Sequence, residues 1–305
     1  MFSPVPFGDF SVAIARLYST GRHARPTRTR MAQVLRELGA LGPVTTADLT
    51  TDLMARWVAS RGPHANPNTI NGLLGSASAA CSYALAEGWL ERPPCWRRLR
   101  LRPGPTVRNA PPPYDQVAKL LDDLAAHRGD GWAQHRLCAL AWTVALTGLR
   151  RNEALYLKLA DLDLGDDPVI RIEPAPGRRL KTAAAARRVP LPDVLAELLR
   201  GWVGLAGPVW LFPGLRRRGP WTGGSATSRP IGALQTAARA SGVPHVTWHA
   251  LRHAFGTAAV GRWGVSVWVV QRVLGHTDPR TTERYLHLSD APAIAAAVRS
   301  LRYAA

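Results

Sequence analysis

Arg102-Pro103-Gly104-Pro105-Thr106-Val107-Arg108-Asn109-Ala110-Pro111-Pro112-Pro113 divides the chain. Its prolines remove backbone donors and forbid a helix, so residues 103–113 read as an interdomain linker. Upstream, apolar residues recur at helical spacing over 9–20, 28–40 after Pro26-Thr27, 46–60 with Thr45 or Thr46 as N-cap, and 67–88 ended by Gly88. This predicts a four-helix bundle over 1–102. Downstream, helices are expected near 114–127, 132–147 and 151–159, with a break at Thr147-Gly148. Residues 168–173 and 186–191 alternate like strands and form a small antiparallel hairpin. Further helices follow near 193–204, 229–241, 248–262, 266–274, 279–286 and 291–302. The expected fold is mainly α, with a second, mixed but mostly helical domain over 114–305 carrying a small antiparallel β-sheet.

The 305 residues are enough for two domains of ordinary size, and a 46% hydrophobic composition supplies both cores. Charge is the outstanding feature: 39 lysines and arginines against 21 acidic residues give a net +18. The excess lies on both sides of the linker, with 14 basic and 6 acidic residues in 1–110 and 25 and 15 in 111–305. Such a balance points to a polyanionic partner that both domains could touch. No apolar run reaches the ~18–20 residues of a membrane span, and the N-terminus lacks a signal-peptide pattern, so a cytoplasmic protein is expected. Cys81, Cys95 and Cys138 form no metal-binding spacing and cannot all pair, so they are expected to be reduced, mostly packing residues. Only Lys119, Lys158 and Lys181 are lysines, so a lysine at a site is informative.

Three clusters can carry chemistry. In Thr147-Gly148-Leu149-Arg150-Arg151-Asn152-Glu153, an arginine follows a glycine turn at the start of a helix, where it could share an anion with free backbone N–H groups. Glu153 could equally be its structural partner. In Trp248-His249-Ala250-Leu251-Arg252-His253, His249 and Arg252 lie three apart on one helix face, a titrating imidazole beside a fixed cation. His253 reads as a packing or supporting histidine. In Leu274-Gly275-His276-Thr277-Asp278, Gly275 fits a helix C-terminus and His276 a turn, and Tyr285 follows nine residues later.

Jointly these clusters place Arg150, then Lys181, His249-x-x-Arg252, His276 and Tyr285 in one order and spacing, and the pattern resembles the tyrosine recombinase (phage integrase) family. The similarity covers about 114–290, and more loosely Thr69-Ile70-Asn71 to Leu90, which looks like the last helix of the family's core-DNA-binding domain. Ala250 departs from the family's frequent Asp at a non-catalytic position. The resemblance implies that Arg150 and Arg252 bind the scissile phosphate, with Glu153 supporting Arg150. It further implies that Tyr285 is the nucleophile, that His249 assists proton transfer, and that His276 donates to a non-bridging oxygen. Lys181 matches the hairpin lysine that protonates the leaving 5′ oxygen. Independently of resemblance, a lysine can lose its proton at that step and an arginine cannot.

The implied reaction is in-line attack by the Tyr285 oxygen, giving a 3′-phosphotyrosyl DNA and a free 5′-hydroxyl that can reverse the step. Two guanidiniums and His276 stabilise the charge that builds on phosphorus, each such donor being worth about 3–4 kcal/mol, so no metal, ATP or other cofactor is expected. The implied partners are double-stranded DNA and further copies of the chain, as a tetramer on two sites proceeding through a Holliday junction, with a paralogous recombinase possible. The short N-terminal part suits a two-domain, Xer-like or simple integrase member.

The same reading puts the protein at the nucleoid. Ile294, Val298 and Leu301 stripe a C-terminal helix that would dock either on a neighbouring protomer or on its own domain. Candidate phosphate contacts are Arg22, Arg25, Arg28 and Arg30 in the first domain and Arg216, Arg217, Arg218, Arg229 and Arg239 in the second. Asn68 and Asn71 could read bases if their helix lies in the major groove. The competing readings are an integrase-like DNA-binding protein that no longer cleaves, which the intact residue set argues against, and a type IB topoisomerase.

Overall fold

The computed structural model describes residues 2–19, 25–102, 111–176, 178, 186–216, 218–222, 229–243 and 246–275. The chain forms two compact units, 1–108 and 109–305.

The first unit is helical: α1 (Phe7–Ser19), α2 (Arg25–Gly39), α3 (Thr51–Ala59), α4 (Pro67–Ala86) and a short α5 (Trp96–Leu99). Phe10, Ile14, Met31, Leu38, Met54, Trp57, Leu74 and Ala77 fill its core. The single helix expected over 46–60 is instead a 3-10 turn at Thr46–Asp48 followed by α3. Two competing caps cause the break. The Asp48 carboxylate accepts the backbone N–H groups of Val44 and Thr45, both at 2.8 Å, and the Thr50 hydroxyl accepts that of Leu53 at 3.2 Å. A chain that caps twice within five residues starts two helices. Asn66 and Pro67 start α4 in the ordinary way, the Asn66 side-chain Oδ1 accepting from Asn68 N at 2.9 Å.

The second unit is built from α6 (Tyr114–Ala126), α7 (Trp132–Thr147), α8 (Arg151–Leu155), β1 (Leu162–Asp163), β2 (Val169–Ile172), β3 (Arg187–Pro190), α9 (Asp193–Ala206), α10 (Pro230–Ala240), α11 (Trp248–Gly261) and α12 (Val267–Leu274). Helix α7 is buried along most of its length, including Leu140, Val144 and Ala145. Helix α8 is shorter than expected, because Leu157 already turns into the core and the chain pairs with Trp210 at Lys158. The sheet has three antiparallel strands in the order β1-β2-β3, so the expected hairpin gains the short strand β1.

Register pairs Ile170 with Val189 and Ile172 with Arg187. Ile170, Ile172 and Val189 are buried, and the period of two puts Arg187 on their face, while Arg188 is exposed. Burial pushes the thiols of Cys81 and Cys138 up to about 12, and all three cysteines are free. Among the described residues no helix is long and apolar enough to cross a membrane. The helices expected at 279–286 and 291–302 lie outside the described residues.

Candidate active site

Gly148 ends α7 in the left-handed conformation, φ 63°, and its N–H donates to Val144 O at 2.9 Å. A side chain here would collide with Leu274 and Phe255, so glycine is required both for the turn and for the close approach of α11 and α12. Two residues later Arg150 stands at the N-cap of α8. Glu153 reaches back to it: Oε2 accepts from Arg150 N at 2.9 Å and Oε1 from Nη1 at 2.8 Å. This fixes the guanidinium while leaving the Arg150 side chain 33% exposed.

Arg252 comes from α11 and is only 3% exposed. Its Nη1 donates to Gly148 O at 2.6 Å and its Nη2 to Leu274 O at 2.9 Å. Arg150 Nη2 donates to Gly275 O at 2.9 Å. A third arginine, Arg187 on β3, donates from Nε to Val273 O at 2.6 Å. Three successive carbonyls at the end of α12 are thus each held by a different guanidinium, where the helix leaves carbonyls without intrahelical partners and the dipole favours cations. Gly275 closes that end with φ 64° and lies against the Arg187 guanidinium.

Glu153 is the negative centre of this array. Arg187 Nη2 donates to its Oε2 at 2.8 Å and Nη1 to its Oε1 at 3.4 Å, and the two side chains are 7% and 6% exposed. Burial alone would raise the Glu153 carboxyl. The hydrogen bond and charge of Arg187, with the backbone N–H and guanidinium of Arg150, outweigh it and hold the group below its usual range. Two guanidiniums meet one carboxylate and the third, Arg252, is held by main-chain carbonyls, so this part of the site keeps an excess of positive charge.

His249 is exposed on the first turn of α11, which Thr247 caps by accepting from Ala250 N at 3.0 Å. Its Nε2 lies 2.9 Å from Nε2 of His253, one turn on, so one imidazole donates to the other. Lys181, His276 and Tyr285 lie outside the described residues. Of the sequence-expected set, Arg150, Glu153 and Arg252 come together around the end of α12. Arg187 was missed, and its signal was the alternation that turns it inward with Val189.

The candidate DNA contacts divide. Arg28, Arg30, Asn68, Arg216, Arg218, Arg229 and Arg239 are exposed. Arg25 opens α2, and Arg22 and Arg217 lie outside the described residues. Asn71 is engaged within its own unit. Its Nδ2 donates to Leu101 O at 2.8 Å and its Oδ1 accepts from Leu101 N at 3.0 Å, so the amide that would read a base instead clamps the chain after α5.

The sequence pattern of the phage integrase family matches residues 114–291. Tyrosine recombinase XerD of Caulobacter vibrioides is 32% identical over 223 residues, 68% of this chain and 66% of that protein. A tyrosine recombinase of Thermosipho africanus is 29% identical over 227 residues, 73% of this chain and 72% of that protein. The chain thus spans about two thirds of the length of these relatives. Among solved structures, the Tn1549 transposon integrase in complex with a circular intermediate DNA superposes with a TM-score of 0.72 at 18% identity, covering 97% of this chain and 99% of that one. A lambda integrase dimer bound to a COC′ core site gives 0.69 at 17% identity, covering 93% and 95%. With the family pattern laid over the elements that carry Arg150, Glu153, Arg187 and Arg252, the chain belongs to the phage integrase family.

Proposed function

We propose that this chain is a site-specific DNA recombinase that cuts and rejoins duplex DNA through a 3′-phosphotyrosyl intermediate. The observation that carries the reading is the meeting of Arg150 and Arg252 at the Leu274 and Gly275 carbonyls, immediately before His276 and ten residues before Tyr285. Support comes from relatives that are themselves tyrosine recombinases and from structural neighbours that are integrases held on DNA.

In this reading Arg150 and Arg252 neutralise the non-bridging oxygens of the scissile phosphate, with Glu153 orienting Arg150. His276 adds a further donor. Tyr285 attacks phosphorus while His249 assists its deprotonation. Lys181 gives its proton to the departing 5′ oxygen, and the free hydroxyl of a second strand reverses the sequence, so phosphodiester energy is kept in the phosphotyrosine. The first domain, 1–102, holds the core DNA site, and 114–305 carries the chemistry. The protein works as a multimer, expected to be a tetramer, at the cytoplasmic nucleoid. The Ile294, Val298 and Leu301 stripe docks on a neighbouring copy, and a paralogous recombinase is an allowed partner.

The test is a nicked suicide duplex carrying the chain's target site. Wild type should accumulate a covalent protein–DNA product and Tyr285→Phe none; cleavage that survives the substitution removes Tyr285 from the role. Exchange of strands between two duplexes separates recombinase from topoisomerase. Lys181→Ala should cleave slowly and recover on a 5′-phosphorothiolate leaving group.

A further inference from the structure

We infer that Arg187 is a positioning residue for this reaction, which keeps the Arg150 cation available to phosphate by balancing the charge of Glu153. The inference rests on the recombinase reading for the reaction it serves, and on the structure for the charge balance itself. Glu153 has two tasks that conflict. It must orient Arg150 through two contacts of 2.8 and 2.9 Å, and in doing so it sets a buried negative charge against the guanidinium that has to attract a phosphate. An isolated Glu153–Arg150 pair would be neutral overall. Its field toward an anion would be that of a dipole, which falls off faster than that of a charge.

Arg187 resolves the conflict by bonding to both oxygens of the same carboxylate. Its Nε and both Nη atoms are engaged by Val273 O and the Glu153 carboxylate, so its charge acts through Glu153. Its geometry uses all of the guanidinium: Nη1 and Nη2 take the two carboxylate oxygens while Nε takes Val273 O. A lysine supplies the charge without that fork. The same side chain therefore ties three parts of the site together. It stands on β3, six residues after Lys181, it holds the carboxylate that orients Arg150, and it grips the end of α12 that leads to His276.

A purely structural arginine and a charge-balancing one predict opposite results when Glu153 is neutralised in its absence. Arg187→Gln should slow covalent-complex formation on saturating suicide duplex about a hundredfold, the scale of losing one preorganised donor. Adding Glu153→Gln should then restore the rate at least tenfold, because the unbalanced negative charge is gone. No recovery in the double variant would overturn the inference, since a structural role makes the second substitution neutral or harmful.

Titration of the Glu153 carboxyl by carbon-13 NMR supplies a readout independent of cleavage. Its midpoint should rise in Arg187→Gln relative to wild type, and an unmoved midpoint also overturns the inference. A raised midpoint in a protein whose wild type forms no covalent product would keep the charge balance and sink the recombinase reading instead. Should Arg187→Gln fail to fold, Arg187→Lys carries the test. Cleavage within about tenfold of wild type is expected from the retained charge, and a loss equal to that of Arg150→Ala would overturn it.

Discussion

Arg252 donates to the main-chain carbonyl of Gly148, 104 residues earlier, at 2.6 Å, and so pins α11 to the turn that delivers Arg150. The turn and the cation depend on each other. Gly148→Ala would force a side chain into the left-handed region at a cost of about 1–2 kcal/mol and press it against Leu274 and Phe255. Overpacking adds about 1–3 kcal/mol. The expected outcome is a lower urea midpoint together with loss of covalent product. A variant of unchanged stability would show that the approach of α12 to Gly148 is not required.

Glu153 gives the site an acid limit. Its folded carboxyl is held below the ordinary value, so the unfolded chain binds the proton more readily, and the stabilisation is complete above about pH 4.5 and lost as pH falls below it. Near neutrality Glu153→Gln should cost about 3–5 kcal/mol, because it leaves Arg187 buried without its carboxylate. The stability difference between wild type and Glu153→Gln, followed by urea unfolding, should narrow as pH drops through that window. A difference independent of pH would mean that the carboxylate contributes no net charge interaction.

Asn71 can serve as a clamp on Leu101 or as a base reader, and the two roles predict different outcomes. Removing its amide breaks both hydrogen bonds to Leu101. Asn71→Ala should therefore destabilise the unit by about 1–3 kcal/mol and leave base preference unchanged in a binding-site selection. A changed preference with wild-type stability would make it a base reader.

Arg28 and Arg239 are exposed, one in each unit, and the DNA reading makes them phosphate contacts. Each contact releases condensed counterions, so Arg28→Ala or Arg239→Ala should lower the slope of log affinity against log salt by about 0.9. An affinity drop that is the same at every salt concentration would remove that residue from the phosphate-contacting set.

Local periodicity and capping made most helices legible, since Asn66-Pro67 starts α4 and Gly148 ends α7 by rules that act within a few residues. The same holds for Arg150 after its glycine turn and for Arg252 on α11, whose spacing from His249 carried the family resemblance. The splitting of 46–60 escaped because two adjacent capping signals each made sense as the start of one helix.

Packing alone decided the rest. Arg187 meets Glu153 across 34 residues and Val273 across 86, and Asn71 meets Leu101 across 30. Alternation along a strand says which way a side chain faces, but not what waits for it there. A buried arginine becomes stable only when tertiary contact brings it a carboxylate and a carbonyl, and that contact belongs to no single stretch of the chain.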